Sequence, residues 1–123
     1  MTKENIIRAY FKMWLTKDFS KIPTLFAPEI IYTECYGPQY VGITEMLAWI
    51  QHKSAEQTVL EWRIGDILSV DNQTVVTWFF KAREATTYSF DGVSIMTFNA
   101  DNQICQVSEY QSKASHSRPY KEV

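Results

Sequence analysis

The chain has 123 residues, 46% of them hydrophobic and 15% aromatic, with a formal net charge of -2. This length fits one domain with its own core, and the hydrophobic load excludes disorder for the main body. The twelve basic residues, scattered from Lys3 to Lys121 without a block, argue against a nucleic-acid partner.

Residues 4 to 15 place Ile6, Ile7, Tyr10, Phe11, Trp14 and Leu15 three and four apart, with Lys3, Glu4, Arg8 and Lys12 largely opposite. That spacing predicts an amphipathic helix, capped by Thr2 and ended by Thr16-Lys17-Asp18. A short second helix is expected over about Ser20 to Phe26, where Pro23 is tolerated in the first turn, and Ala27-Pro28-Glu29 breaks it. A strand follows, carrying Ile30, Tyr32, Glu34 and Tyr36 on one face, because side chains alternate along an extended segment. Gly37-Pro38 closes that strand with a turn, Tyr40 and Val41 form a brief return strand, and a third helix runs from about Thr44 to Ala55.

From Thr58 onward β-branched and aromatic residues alternate. Leu60, Trp62 and Ile64 alternate with Glu61 and Arg63, and the run continues to an Asp71-Asn72 turn. Thr74 to Ala82 is apolar on both faces, which predicts a central strand. Thr86 to Phe98 forms the next strand, interrupted or bulged at Asp91-Gly92, and Asn99 to Gln103 is a hairpin turn before the last strand, Ile104 to Gln111. Helices first and antiparallel strands afterwards define an α+β domain, with three N-terminal helices on one face of a strongly curved, mostly antiparallel sheet that forms a cone. A cone only partly filled by helices leaves an apolar pocket, the default site for a small hydrophobic molecule.

Cys35 and Cys105 are expected to be reduced thiols packed as small hydrophobes. His52 and His116 have no metal-ligand spacing, so no metal is expected. No window approaches the roughly 18 apolar residues of a membrane span, and MTKENIIRAYFKMW lacks a signal peptide's apolar core, so a cytoplasmic location is the default expectation.

Glu34 sits among aromatics, where a carboxylate loses hydration. It finds a partner there, takes up a proton at raised pKa, or reaches solvent at the strand's end. On the last strand Glu109 shares a face with Cys105 and Val107, so inward and outward orientations are both open. If both glutamates face the cone, their approach raises one pKa and yields an acid and base pair. Trp14, Tyr32, Trp49, Trp62, Trp78 and Met96 are candidate pocket walls for a flat ligand, although aromatics at such spacings also serve as plain core.

The order of elements, and the strings AYFKMWLTKDFSKIPTLFAPE, YTECYGPQYVGITEM and FDGVSIMTFNADNQICQVSEY, resemble the nuclear-transport-factor-2-like superfamily. This group of cystatin-like α+β barrels includes ketosteroid isomerases, limonene epoxide hydrolases, scytalone dehydratases and SnoaL-like polyketide cyclases. The resemblance reaches about Ser112, which implies a single domain over 1–112 and a polar C-terminal tail over 113–123. Against the ketosteroid isomerase pattern, the tyrosine that donates to the substrate oxyanion falls on Tyr10 and the catalytic base on Glu34. The protonated Asp of that oxyanion hole falls on Ser94, a hydroxyl without the acid's strength. The resemblance therefore implies a cofactor-independent isomerase, cyclase or dehydratase acting on a small hydrophobic carbonyl compound. The alternative is a non-catalytic small-molecule-binding or protein-interaction module on the same scaffold. Pairing through the outer sheet face, common in the superfamily, implies a homodimer.

Overall fold

The computed structural model describes residues 1–121. Its elements run α1 Lys3–Thr16, α2 Ile22–Leu25, β1 Phe26–Thr33, β2 Gln39–Val41, α3 Ile43–Glu56, β3 Thr58–Val70, β4 Gln73–Arg83, β5 Thr87–Phe98 and β6 Ile104–Ser112. The strands form one sheet in the order β2-β1-β6-β5-β4-β3, parallel only between β1 and β6. The domain is α+β as expected, with its helices packed on a curved, unclosed sheet. Among the described residues no helix is long and apolar enough to cross a membrane.

Local chemistry explains the helix ends. Thr2 accepts a hydrogen bond from the Asn5 amide at 3.1 Å, and Lys17 takes a left-handed conformation that stops α1. The stripe of Ile6, Ile7, Tyr10, Phe11 and Trp14 is buried, whereas Leu15 is exposed and Met13 buried in its stead. At Gly42, φ of 87° turns the chain into α3, and the Glu45 carboxylate accepts from the Val41 amide at 2.8 Å.

Several local features differ from the sequence expectation. The second helix is a single turn, because Phe26 already enters β1, and Pro28 lies within that strand. Proline is accommodated there because the β1–β6 register is broken between Phe26 and Ile31. Glu34 falls one residue past β1 but keeps the inward phase of Ile30 and Tyr32, while Tyr36 turns half outward. Asp91-Gly92 makes no bulge, since the β4–β5 ladder runs unbroken from Gln73–Thr97 to Arg83–Thr87. Register shifts occur in β3, between Val59 and Glu61 and between Ile64 and Ile67, and at the Thr97–Phe98 step opposite β6. That last shift takes Cys105 out of phase with Val107 and Glu109, and its thiol reaches the Thr97 carbonyl.

Gly92 has another purpose. It pairs with Trp78 across the ladder, and a Cβ on it would lie 2.2 Å from the indole Cη2. The missing side chain makes room for the Trp78 ring against the sheet's inner face. β4 is paired on both sides but lies second from the β3 edge rather than at the sheet's centre, with Thr74, Val76, Trp78, Phe80 and Ala82 buried on the inner face. Beyond β6 the chain carries His116 toward Asp91 at 3.3 Å. The end of the expected tail, residues 122–123, lies outside the described residues.

Candidate functional site

The inner face of the sheet and the facing helices enclose a cavity of about 40 Å³. Its walls are aromatic, with Trp14 from α1, Tyr32 from β1, Trp49 from α3, Trp62 from β3, Trp78 and Phe80 from β4 and Phe90 from β5. All four tryptophans of the chain line it. Two carboxylates, Glu34 and Glu109, border this same space. β6 delivers Glu109 inward because Val107 and Glu109 share the phase that pairs with Met96 and Ser94 on the inner face of β5.

Glu109 is held by hydroxyls. Tyr10 donates to the Tyr32 hydroxyl at 2.7 Å, and Tyr32 donates to Glu109 Oε2 at 2.8 Å. On the other side Ser94 stands directly opposite Glu109 on the ladder and accepts from Trp78 Nε1 at 2.9 Å. Desolvation pushes Glu109 up to about 8, a rise opposed by the Tyr32 and Ser94 hydroxyls and assisted by the charge of Glu34. As a residue Glu109 keeps intermediate exposure, since part of it borders the cavity, while its carboxylate is enclosed by packed atoms. Among the described residues no cation is paired with it. Tyr10 and Tyr32 are both raised well above the usual phenol range, first by burial and then by the Glu109 charge, so each is a neutral donor.

Glu34 sits at the mouth, 9% exposed, and accepts from the Tyr40 hydroxyl at 2.6 Å. Burial raises its pKa, while Tyr40 and the nearby Lys53 ammonium pull it back. Lys53 itself is bound to Glu84 at 3.0 Å, and Glu84 accepts from Tyr88 at 2.6 Å, which ties α3 to the β4–β5 turn. Cys35 also lines the cavity, where burial pushes its thiol up to about 12, so it is not a thiolate near neutrality. The indole N–H groups of Trp14, Trp49 and Trp62 are buried without a hydrogen-bond partner among the described residues.

The structure brings together Glu34, Glu109, Trp14, Tyr32, Trp49, Trp62 and Trp78 around one space. Tyr10, Ser94 and Met96 do not line it. Tyr10 and Ser94 stand one hydrogen bond behind the wall, and Met96 is fully buried core. The family resemblance implies a substrate-facing donor at Tyr10, yet the hydroxyl that lines the cavity belongs to Tyr32, one partner further along. Sequence reasoning gave no chemistry to Tyr40 or Lys53, which set the charge of Glu34, nor to Gln57, Phe80 and Phe90 in the wall. The inward phase of Phe80 and Phe90 was readable from strand alternation, whereas Lys53 carries no such signal. His52 and His116 are exposed and bonded to Glu56 and Asp91. No group of three or more His, Cys, Asp or Glu side chains arranged to hold a metal ion is found among the described residues.

An open, curved sheet closed by helices over an aromatic cavity with inward carboxylates defines a class of small α+β pocket proteins. Residues 7–107 match the family model of the SnoaL-like domain, and the chain belongs to that family. Among curated proteins none matches the sequence significantly. Solved structures share the fold at low identity. One is a protein with a ketosteroid isomerase-like fold from Catenulispora acidiphila in complex with trimethylamine, at TM-score 0.77 and 16% identity, covering 93% of this chain and 89% of that one. A protein provisionally assigned as a SnoaL-like polyketide cyclase from Shewanella denitrificans gives TM-score 0.76 and 13% identity, covering 89% of this chain and 90% of that one. A protein of unknown function with a cystatin-like fold from Xanthomonas campestris gives TM-score 0.77 and 14% identity over 92% of each chain.

Proposed function

We propose that this protein is a cofactor-independent isomerase, cyclase or dehydratase acting on a small carbonyl compound, with Glu34 as general base and Glu109 as the acid that receives the carbonyl oxygen. One observation carries this reading: two carboxylates of different proton affinity border a single aromatic cavity. The more strongly raised one is Glu109, which keeps its proton near neutrality. The direction of that proton follows from its neighbours. Tyr10 donates to Tyr32, and Tyr32 donates to Glu109 Oε2. Tyr32 aims its proton at one carboxyl oxygen, so the proton Glu109 carries is available to the cavity that the residue borders.

In this reading Glu34 removes a proton beside the carbonyl while the Glu109 acid and the Tyr32 hydroxyl behind it stabilise the oxyanion. The ketosteroid isomerase arrangement, a worked example of such tuning, places a protonated Asp at the position of Ser94. Here the acid stands directly across the ladder from that position, on β6. Tyr10 becomes a positioning residue that fixes the direction of Tyr32.

The test is exchange of the α-protons of a small ketone such as butanone in D2O, followed by proton NMR. Wild type is expected to accelerate exchange over buffer, and Glu34→Gln to lose about 10²- to 10⁴-fold of that rate, the usual worth of a general base. Absence of any acceleration by wild type overturns the reading and leaves the alternative, a non-catalytic pocket for a small molecule. The trimethylamine bound by the Catenulispora acidiphila protein makes small amines the first ligands to try on that alternative.

The outer sheet face supports a homodimer. Leu68, Val70 and Tyr110 are exposed there, beside the half-buried Val75, Phe79, Val93 and Ile95. Both cysteines are free thiols, in keeping with a reducing, cytoplasmic setting.

A further inference from the structure

The cavity is small for the ligands such folds are expected to hold. Its volume is about 40 Å³, against about 150 Å³ for a protein cavity that takes benzene and about 300–1,000 Å³ for pockets that hold drug-sized ligands. Immediately outside lies a vestibule of about 310 Å³, lined by Pro38, Tyr40, His52 and Glu56. Four residues border both spaces: Glu34, Tyr36, Trp49 and Lys53.

Three of these four are fixed in place. Glu34 is bound by Tyr40, Trp49 stacks on Tyr40 with centroids 4.7 Å apart, and Lys53 is bound to Glu84. Tyr36 is held differently. It belongs to the turn between β1 and β2, is 47% exposed, and packs edge-on against Phe90 at 5.9 Å. The next residue, Gly37, has φ of 107°, and no atom lies within 4 Å of the place where its Cβ would stand. Two backbone hydrogen bonds, from the Glu34 amide to the Pro38 carbonyl and from the Gly37 amide to the Glu34 carbonyl, anchor the turn at its base rather than at its tip.

From this geometry we infer that the Tyr36 ring sets the size of what the cavity accepts, confining the space between Glu34 and Glu109 to a short-chain carbonyl group of a few heavy atoms and excluding fused rings. The inference rests on the cavity being a ligand site and does not require turnover. It separates this chain from steroid- or polycycle-sized chemistry: the reacting end enters past Tyr36 and any remainder lies in the vestibule over Tyr40 and Trp49. Removing the ring joins the two spaces, and Glu34, which borders both, stays at their junction.

The experiment is a binding titration with a ladder of neutral ketones, butanone, cyclohexanone and 1-tetralone, against ¹⁵N-labelled protein. The four tryptophan indole N–H signals provide the readout, since all four rings line the cavity. Wild type is expected to show saturable shifts with butanone and none with 1-tetralone. Tyr36→Ala is expected to bind 1-tetralone at least tenfold more tightly than wild type. Tyr36→Phe should behave as wild type, because the ring and not the hydroxyl forms the wall. The dispersion of the indole signals verifies that each variant is folded. The proposal is overturned if wild type binds 1-tetralone as well as butanone, if Tyr36→Ala leaves the size limit where it was, or if no ketone binds either protein. A size limit that moves as expected in a protein without proton-exchange activity would retain the gate and reject only the catalytic reading.

Discussion

Replacing Glu109 by Gln gives a direct test of the acid assigned to the cavity. Its ordinary carboxyl value is 4.5 and the folded value is pushed up to about 8. Between these two values the folded protein holds a proton that the unfolded chain has released, so the unfolded state binds fewer protons and stability falls as pH rises. The effect is absent below the unfolded value, grows by about 1.4 kcal/mol per pH unit in the window, and levels off above the folded value. From pH 5 to pH 8 wild type should lose roughly 3–4 kcal/mol through this group alone. Glu109→Gln has no proton to lose and should lack this slope, although it weakens the acceptor for the Tyr32 hydroxyl at a cost of about 1 kcal/mol at all pH values. The variant is therefore expected to be slightly less stable than wild type at pH 5 and more stable at pH 8. Glu34 titrates in both proteins and cancels in the difference. Asp18 and Glu84, whose pKa values are lowered, titrate below the window. The measurement is urea unfolding at fixed ionic strength at pH 5, 6.5 and 8. Parallel stability profiles for the two proteins would refute the claim that Glu109 is held protonated.

Three other outcomes are expected. Tyr32→Phe removes the donor that holds Glu109 down and strands the Tyr10 proton, so the carboxyl C=O band of Glu109 should titrate at a higher pH than in wild type, with a stability loss of about 1–3 kcal/mol; an unchanged midpoint would remove Tyr32 from the relay. Gly92→Ala forces the Trp78 ring off the sheet and off its Ser94 hydrogen bond, and should cost about 1–3 kcal/mol in denaturant unfolding; a neutral result would mean the ring relocates freely. Val70→Glu introduces a charge on the exposed outer face and should turn a dimer into a monomer by light scattering, whereas a wild type that is monomeric at micromolar concentration would remove the dimer altogether.

The fold was legible where local periodicity and core geometry agree. Buried positions at Ile6, Ile7, Tyr10, Phe11 and Trp14 recur at helical spacing, and the inner face of β4 alternates without a break. Legibility failed at places governed by contacts across the chain. Gly92 carries the signature of a bulge, but its cause is the indole of Trp78, and no pattern within β5 reveals a partner strand's side chain. The register shift opposite Thr97 removes Cys105 from the inner face, so strict alternation counted one residue too many there. At the site the sequence indicated which residue types gather, and it left open which hydroxyl faces the cavity. Tyr10 and Tyr32 are both tyrosines at apolar phases, and their order in the relay depends on a hydrogen bond between residues 22 apart.

The relation between Ser94 and Glu109 shows why a position-by-position comparison misses this kind of site. A ladder pair places two side chains about 5 Å apart on one face, so an acid at either position serves the same volume of the cavity. Moving the carboxyl from β5 to β6 needs a longer side chain or a small partner, and the pair here has both: glutamate on β6 opposite serine on β5. The serine leaves room on the inner face for the longer acid across the ladder. A carboxyl at both positions would bring like charges together and raise one pKa further, with no added donor to offset it. Ser94→Asp is accordingly expected to drive the Glu109 titration above its wild-type midpoint, measured by the same C=O band. Ser94→Ala should raise it by less, since it removes a donor without adding a charge. A larger rise in the alanine variant than in the aspartate variant would show that hydrogen bonding, and not the shared volume, dominates this pair.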